Sequence, residues 1–390
     1  VNAVVWKARK KLRIEKVKDP SIQEPTDAIV RVTATGICGS DLHLYGKVVP
    51  GMIKGDILGH EAVGIVEEVG GAVSQIRPGD RVVVPANVAC GHCYFCERGL
   101  QSQCETTQNK KFGKGGSLFG YTHLYGGIAG GQAEYVRVPQ AQYGPIRIRA
   151  DAPDTRLALL ADVLPTAWQG VEYAGGEEID TLVIYGLGPI GQACARIARF
   201  RGIPRIIGLD RIPERLALAA RHGVETIDLR LVKKPEERVV EMTHGRGADA
   251  GIDAVGVEAF GSKADSVLQT SKLQADKLNA LVNCMASVRR GGTVSILGVY
   301  FGWIPMFHIG DLFDRQIALQ MGQVNVRRWS DSILPLISDG DELGVDDMIT
   351  HVLPLEAAPK AYDMFQEKRD GVVKVVLQPG MTGKAARHAA

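Results

Sequence analysis

Thr181-Leu182-Val183-Ile184-Tyr185-Gly186-Leu187-Gly188-Pro189-Ile190-Gly191 is the stretch on which the fold turns. It opens as a buried-strand run, ends as G-x-G-x-x-G, and leads into the helix-length segment Gly191 to Arg201. The motif alone is weak. Strand before and helix after give the context in which glycines let the backbone approach a pyrophosphate at a helix N-terminus. Asp210 then closes the next strand run, where a carboxylate accepts hydrogen bonds from an adenosine ribose and repels a 2′-phosphate. The expectation is NAD rather than NADP, with Gly186, Gly188, Pro189, Ile190, Gly191, Asp210 and Arg211 as cofactor-binding residues. A strand-end cap is the plainer role for Asp210, and Arg211 beside it would soften the discrimination.

Beyond this motif the same grammar repeats. Strand runs Arg205 to Asp210, Gly251 to Ala254 and Thr293 to Leu297 alternate with helix-length stretches such as Pro213 to His222, as βαβ units around a parallel sheet do. From Val1 to about Ile148 the chain instead shows short β-type runs, Ala28 to Val32, Glu61 to Val69, Arg81 to Val84 and Gln132 to Val138, broken by Gly and Pro. That pattern reads as an antiparallel β-rich domain. The expected fold class is α/β, a Rossmann-type doubly wound parallel sheet joined to a β-rich domain. Helical pieces and a last strand, Val372 to Leu377, follow Gln323, and the residues after Pro379 read as a frayed tail.

The 390 residues carry 46 Lys and Arg against 44 Asp and Glu, a formal net charge of +2, and 45% are hydrophobic. That suffices for two buried cores. The charge is too balanced for a general grip on nucleic acid or anionic lipid, so a small-molecule partner is expected. No apolar run approaches the roughly 18 to 20 residues that span a bilayer, and Val1 to Lys18 has no apolar signal core, so the chain reads as cytoplasmic.

Seven cysteines are few for a disulfide scaffold, and four crowd into Cys90-Gly91-His92-Cys93-Tyr94-Phe95-Cys96 and Cys104. Two-residue spacings let a tight loop turn successive thiolates inward, and the fourth closes an all-sulfur tetrahedron suited to a structural zinc. A redox pair is the alternative. A nucleic-acid-binding ribbon is weaker, because no second Cys pair lies at ribbon distance. His92 is expected to be exposed.

Two further fragments, Cys38-Gly39-Ser40-Asp41-Leu42-His43 and Gly59-His60-Glu61, offer a thiolate and an imidazole from neighbouring loops. A catalytic zinc wants three protein ligands and one open position, and these supply two of them. Either fragment alone would read as packed or satisfied side chains.

In this order, C-G-S-D-x-H, G-H-E-x-x-G, the four-cysteine loop and G-L-G-P-I-G with its following Asp resemble the zinc-containing medium-chain alcohol dehydrogenases over nearly the whole chain. Gly55 to Gly64, Leu118 to Pro139 and Ala161-Asp162-Val163-Leu164-Pro165-Thr166 are most similar to the branch containing glutathione-independent formaldehyde dehydrogenase. The resemblance implies a GroES-like catalytic domain, residues 1–161 and 323–390, and a Rossmann NAD-binding domain, residues 162–322. It implies two zinc ions per chain, a structural one on Cys90, Cys93, Cys96 and Cys104 and a catalytic one on Cys38, His60 and Asp162. Many family members have a cysteine where this chain and that branch have the aspartate; a helix cap is the other role for Asp162.

The implied activity is hydride transfer to NAD from a small alcohol or a hydrated, formaldehyde-like aldehyde, with zinc lowering the pKa of the substrate oxygen. Ser40 would take the hydroxyl proton and pass it through the nicotinamide ribose to His43; a turn serine and a surface histidine are the alternatives. Asp41 resembles the carboxylate that orients the histidine ligand, or it caps a helix. Glu61 is a transient fourth zinc ligand or a strand-entry charge. The family also implies a homo-oligomer, dimer or tetramer.

Val257 to Gly292 is longer than one crossover helix needs and resembles an insertion of the formaldehyde dehydrogenase branch. Part of Phe260 to Leu273 is expected to cover the adenosine end of NAD, or to be a surface excursion. Cys194 and Cys284 are expected in the core. Two other functions stay open: a polyol or L-threonine dehydrogenase on the same scaffold, and a non-catalytic NAD-binding structural protein, which the presence of every expected ligand disfavours.

Overall fold

The computed structural model describes residues 1–46, 49–256, 279–300 and 309–381. The chain divides into two compact units, Val1–Pro165 with Val324–Ala390, and Thr166–Gln323. Among the described residues no helix is long and apolar enough to cross a membrane.

The second unit is built on a parallel sheet in the order Glu225–Asp228, Arg205–Asp210, Thr181–Tyr185, Ala248–Asp253, Val288–Ile296, Ala318–Met321. Numbered along the chain from Thr181, this is the order 3-2-1-4-5-6 of a doubly wound Rossmann sheet. Leu182, Val183 and Ile184 are fully buried, as strands covered on both faces require. The helices Pro189–Phe200, Pro213–Arg221 and Pro235–Met242 each begin on proline, whose missing N–H falls where a helix has no internal acceptor to offer.

The first unit holds a seven-stranded sheet in the order His351–Pro354, Val375–Gln378, Ala28–Ile37, Ala62–Val69, Arg81–Val84, Ile146–Ile148, with Tyr135–Val138 also pairing onto Ala28–Ile37. All of its pairings are antiparallel except that of His351–Pro354 with Val375–Gln378. Two register shifts between Ala28–Ile37 and Ala62–Val69 mark bulges, which sharpen the twist and curl the sheet around Val30, Val32, Val66, Val82, Val84 and Phe119. A separate hairpin, Asn2–Ala8 with Lys11–Lys16, packs Ala3 and Val5 onto Ala133.

Arg81–Val84, Thr181–Tyr185 and Arg205–Asp210 have the limits expected from sequence. Ala28–Ile37 runs on past Val32, because its second half pairs with Ala62–Val69 on one side and Val375–Gln378 on the other. The strand expected from Gln132 begins only at Tyr135, since the Gln132 N–H is spent on the Leu58 carbonyl. Cys194 and Cys284 are fully buried, as expected. The proposed cofactor cover, Phe260 to Leu273, lies outside the described residues.

Gly191 tests the strand-to-helix turn. A Cβ there would stand 1.8 Å from the Gly186 carbonyl oxygen, so the turn would have to open. Gly191→Ala is expected to cost about 1–3 kcal/mol in chemical denaturation. Gly71→Ala, where a Cβ meets nothing within 4 Å, is expected to cost little by comparison.

Candidate metal and cofactor sites

Antiparallel pairing builds the first cluster. Thr35 faces Ala62 and Ile37 faces Val375, so the end of one strand meets the beginnings of two others. The residues just outside those pairs are Cys38, His60, Glu61 and Lys374. Gly36 N–H donates to the Glu61 carbonyl at 3.0 Å and carries the pairing into this junction. Asp162 arrives between a short helical turn, Ala158–Ala161, and the helix Val163–Ala174; the turn is tied down by Ala86 N–H donating to the Ala161 carbonyl.

One ligand atom each from Cys38, His60, Glu61 and Asp162 lies within 4.8 Å of the others. Cys38 Sγ stands 3.4 Å from Asp162 Oδ2, and His60 Nε2 stands 3.6 Å from the same oxygen. A tetrahedral zinc with Zn–S near 2.3 Å and Zn–N or Zn–O near 2.0–2.1 Å separates its ligand atoms by about 3.3–3.8 Å. The three side chains brought together from distant positions therefore fit one zinc.

Charge argues the same way. Burial, then the Asp162 carboxylate, push the Cys38 thiol above its ordinary pKa. At His60 burial opposes the imidazolium, but the carboxylates of Asp41 and Asp162 hold its pKa well above the usual histidine value.

Asp41 is not the N-cap itself, which is Cys38, but the third residue of the helix, and it reaches back to that cap. Its Oδ2 accepts from Cys38 N–H at 3.0 Å, capping the helix Gly39–Tyr45, while its Oδ1 lies 3.4 Å from His60 Nδ1. That second contact has ion-pair distance without hydrogen-bond alignment. Ser40 Oγ is 3.3 Å from His60 Nε2, beside the ligand cluster. His43, one helical turn on, is buried, so the surface-histidine alternative falls.

Glu61 is more than a strand-entry charge. Its carboxylate meets Lys374 Nζ at 2.7 and 2.5 Å, and both side chains are 0% exposed. Lys374 also donates to the Ile37 carbonyl at 3.0 Å. Burial works against the Lys374 ammonium, but the Glu61 carboxylate outweighs it and keeps the pKa above that of an ordinary lysine. Sequence reasoning missed Lys374; a lysine inside an apolar strand run, Val372 to Leu377, was the available signal.

The second cluster is the cysteine loop. Cys90, Cys93, Cys96 and Cys104 are buried, unbridged and mutually within 4.8 Å, and Cys93 and Cys104 sulfurs are 3.9 Å apart. Sulfurs around a tetrahedral zinc are separated by about 3.8 Å. Burial opposes the Cys93 thiolate, yet backbone N–H groups of Cys96 and Glu105 bring its pKa down to about 6. The loop is stitched to the later chain by Ser102 N–H on Asn325 Oδ1 at 2.9 Å and Asn87 Nδ2 on the Val324 carbonyl at 2.8 Å. His92 is exposed, its Nδ1 3.1 Å from the Cys90 carbonyl oxygen.

In the second unit, Gly186 has φ +89° and Gly188 caps the helix Pro189–Phe200. A Cβ at Gly186 would stand 2.7 Å from Val255 Cγ2 and one at Gly191 against the Gly186 carbonyl, so both glycines let the turn fold tightly before the helix N-terminus, as a diphosphate-binding turn requires. Asp210 caps the strand end with one oxygen and holds the glycine turn with the other. Oδ1 accepts from Arg211 and Ile212 N–H at 2.6 and 3.0 Å, and Oδ2 accepts from Leu187 N–H at 2.7 Å, which brings the acidic strand end against the glycine turn.

With this geometry in view, the relatives are informative. Residues 24–148 match the alcohol dehydrogenase GroES-like domain, and residues 189–271 match the zinc-binding dehydrogenase domain. An uncharacterized zinc-type alcohol dehydrogenase-like protein of Bacillus subtilis is 38% identical over 97% of this chain and 100% of its own. The chain belongs to the zinc-type alcohol dehydrogenase family. The glutathione-independent formaldehyde dehydrogenase of Pseudomonas aeruginosa is 33% identical, covering 98% of each chain. The solved alcohol dehydrogenase of Thermus sp. ATN1 superposes with a TM-score of 0.83 at 32% identity over 97% of this chain and 100% of that one. As a family member the chain is a zinc-dependent oxidoreductase that uses a nicotinamide cofactor.

The buried ion pair makes a stability prediction. Lys374→Met leaves the Glu61 carboxylate buried without its cation and is expected to cost about 3–5 kcal/mol in urea denaturation. The double variant Glu61→Gln with Lys374→Met is expected to recover much of that loss.

Proposed function

We propose that the protein oxidises a small alcohol or a hydrated, formaldehyde-like aldehyde with NAD, using one catalytic and one structural zinc. The observation that carries this reading is the meeting of Cys38 Sγ, His60 Nε2 and Asp162 Oδ2 at separations suited to a single ion. Asp162 also gives the specific link to the formaldehyde dehydrogenase branch that the surrounding sequence resembles, and a relative of that name matches nearly the full chain.

Cys38, His60 and Asp162 would hold the catalytic zinc, which supplies Lewis acidity that lowers the pKa of a substrate hydroxyl. Cys90, Cys93, Cys96 and Cys104 would hold the structural zinc, with no position left for substrate. Ser40 Oγ receives the hydroxyl proton, a role its place beside His60 Nε2 supports. His43, one turn further along the same helix, is the next group in the relay. Asp41 orients His60 by facing Nδ1, leaving Nε2 for the metal. Glu61 is held back from that metal by Lys374 and serves at most as a transient ligand. The Asp210 carboxylate at the glycine turn favours an adenosine ribose over its 2′-phosphate.

Two measurements test the proposal together. Metal analysis is expected to find two zinc ions per chain, with Asp162→Ala retaining one. NADH production across formaldehyde, short alcohols, polyols and L-threonine is expected to be fastest with formaldehyde or a short alcohol, and slower with NADP in place of NAD. Preference for a polyol or L-threonine would move the protein to another substrate class on the same scaffold. Two zinc ions with no turnover of any of them would favour a cofactor-binding protein without catalysis.

A further inference from the structure

Behind the ligand cluster runs a buried chain of hydrogen bonds that the reaction does not use directly. Gln132 Nε2 donates to Asp41 Oδ2 at 3.2 Å and to the Gly36 carbonyl at 3.0 Å, while Gln132 Oε1 accepts from the Tyr362 hydroxyl at 2.8 Å. Gln132, Asp41 and Tyr362 are all 0% exposed. The two acceptors on one side and the hydroxyl donor on the other fix the amide's orientation, since a flipped amide would set its oxygen against a carboxylate and a carbonyl.

The backbone of Gln132 is equally committed. Its N–H donates to the Leu58 carbonyl at 2.9 Å, and Gly131 N–H donates to the Gly59 carbonyl at 2.9 Å, directly before His60. Gly59 has φ +97°, and a Cβ there would stand 2.4 Å from Gln132 Cγ, so the glutamine packs flat against the segment that delivers the histidine.

We infer that Gln132 and Tyr362 are positioning residues for the metal site: Tyr362 orients the Gln132 amide, and Gln132 holds Asp41 so that its other oxygen faces His60 Nδ1. This rests on the reading of Cys38, His60 and Asp162 as a zinc site. Partners behind a ligating histidine fix its tautomer and ring orientation, and their loss typically weakens metal affinity by about 10–100-fold. Gln132→Met keeps the volume and removes both donors and the acceptor. Tyr362→Phe keeps the ring and removes only the hydroxyl.

The test is the time course of zinc release from the full-length holoprotein into a chromogenic chelator, with thermal melting recorded for each variant. Wild type should release zinc in two phases, one of them missing in Asp162→Ala. That phase should quicken about 10–100-fold in Gln132→Met and by a smaller factor in Tyr362→Phe, with the other phase unchanged. Should Gln132→Met fail to fold, Tyr362→Phe decides alone. A wild-type rate in folded variants overturns the inference, as does equal quickening of both phases or a lowered melting temperature with an unmoved rate. A wild-type protein that loses no zinc sensitive to Asp162 overturns the zinc reading itself, a separate failure.

Discussion

Everything at the candidate active site depends on the pairing of Ala28–Ile37 with two antiparallel neighbours. Because one strand ends where the other two begin, four chemically potent side chains, Cys38, His60, Glu61 and Lys374, emerge at one junction. A one-residue slip in either pairing would turn those side chains to the opposite face. The bulges in the Ala28–Ile37 pairing and the buried valines behind it hold the register, so the packing of an ordinary β-core is what makes the ligand geometry possible.

The same junction concentrates charge in a place with little water. Asp41, Glu61 and Asp162 stand around the thiol of Cys38, against the cations of Lys374 and, when protonated, His60. Lys374 neutralises Glu61 and Gln132 supports Asp41, which leaves Cys38, His60 and Asp162 as the group suited to a divalent ion. Both supports depend on the last part of the chain, Lys374 directly and Gln132 through the hydroxyl of Tyr362. The segment after Val324 is thereby part of the site's electrostatics as well as of its sheet.

Much of this was legible in sequence where function is encoded by neighbours. The cysteine loop, the glycine turn with Asp210, and the Cys38 and His60 fragments each announce their chemistry over a few residues. The joining of Cys38 to Asp162 across 124 positions came only through resemblance to a family. Gln132 and Tyr362 carried no local sign, and Lys374 showed only as a lysine in an apolar run, with nothing to name its partner: Lys374 acts on Glu61 across 313 positions and Tyr362 on Gln132 across 230. Such partners are chosen by tertiary pairing, and spacing cannot reveal them. Asp41 and Asp210 show a related limit, since each was read as either a cap or a functional carboxylate: Asp41 turns one oxygen to a backbone amide and the other towards His60, while both oxygens of Asp210 accept from backbone amides, one of them in the glycine turn.

The central claim is that sulfur, nitrogen and oxygen from Cys38, His60 and Asp162 close on one zinc. X-ray absorption at the zinc edge of the purified protein measures the atoms around the metal directly. With one all-sulfur site and one mixed site whose fourth position is water, the averaged shell should hold about two and a half sulfur atoms and one and a half nitrogen or oxygen atoms per zinc. A shell of four sulfurs with no lighter ligand would contradict the account.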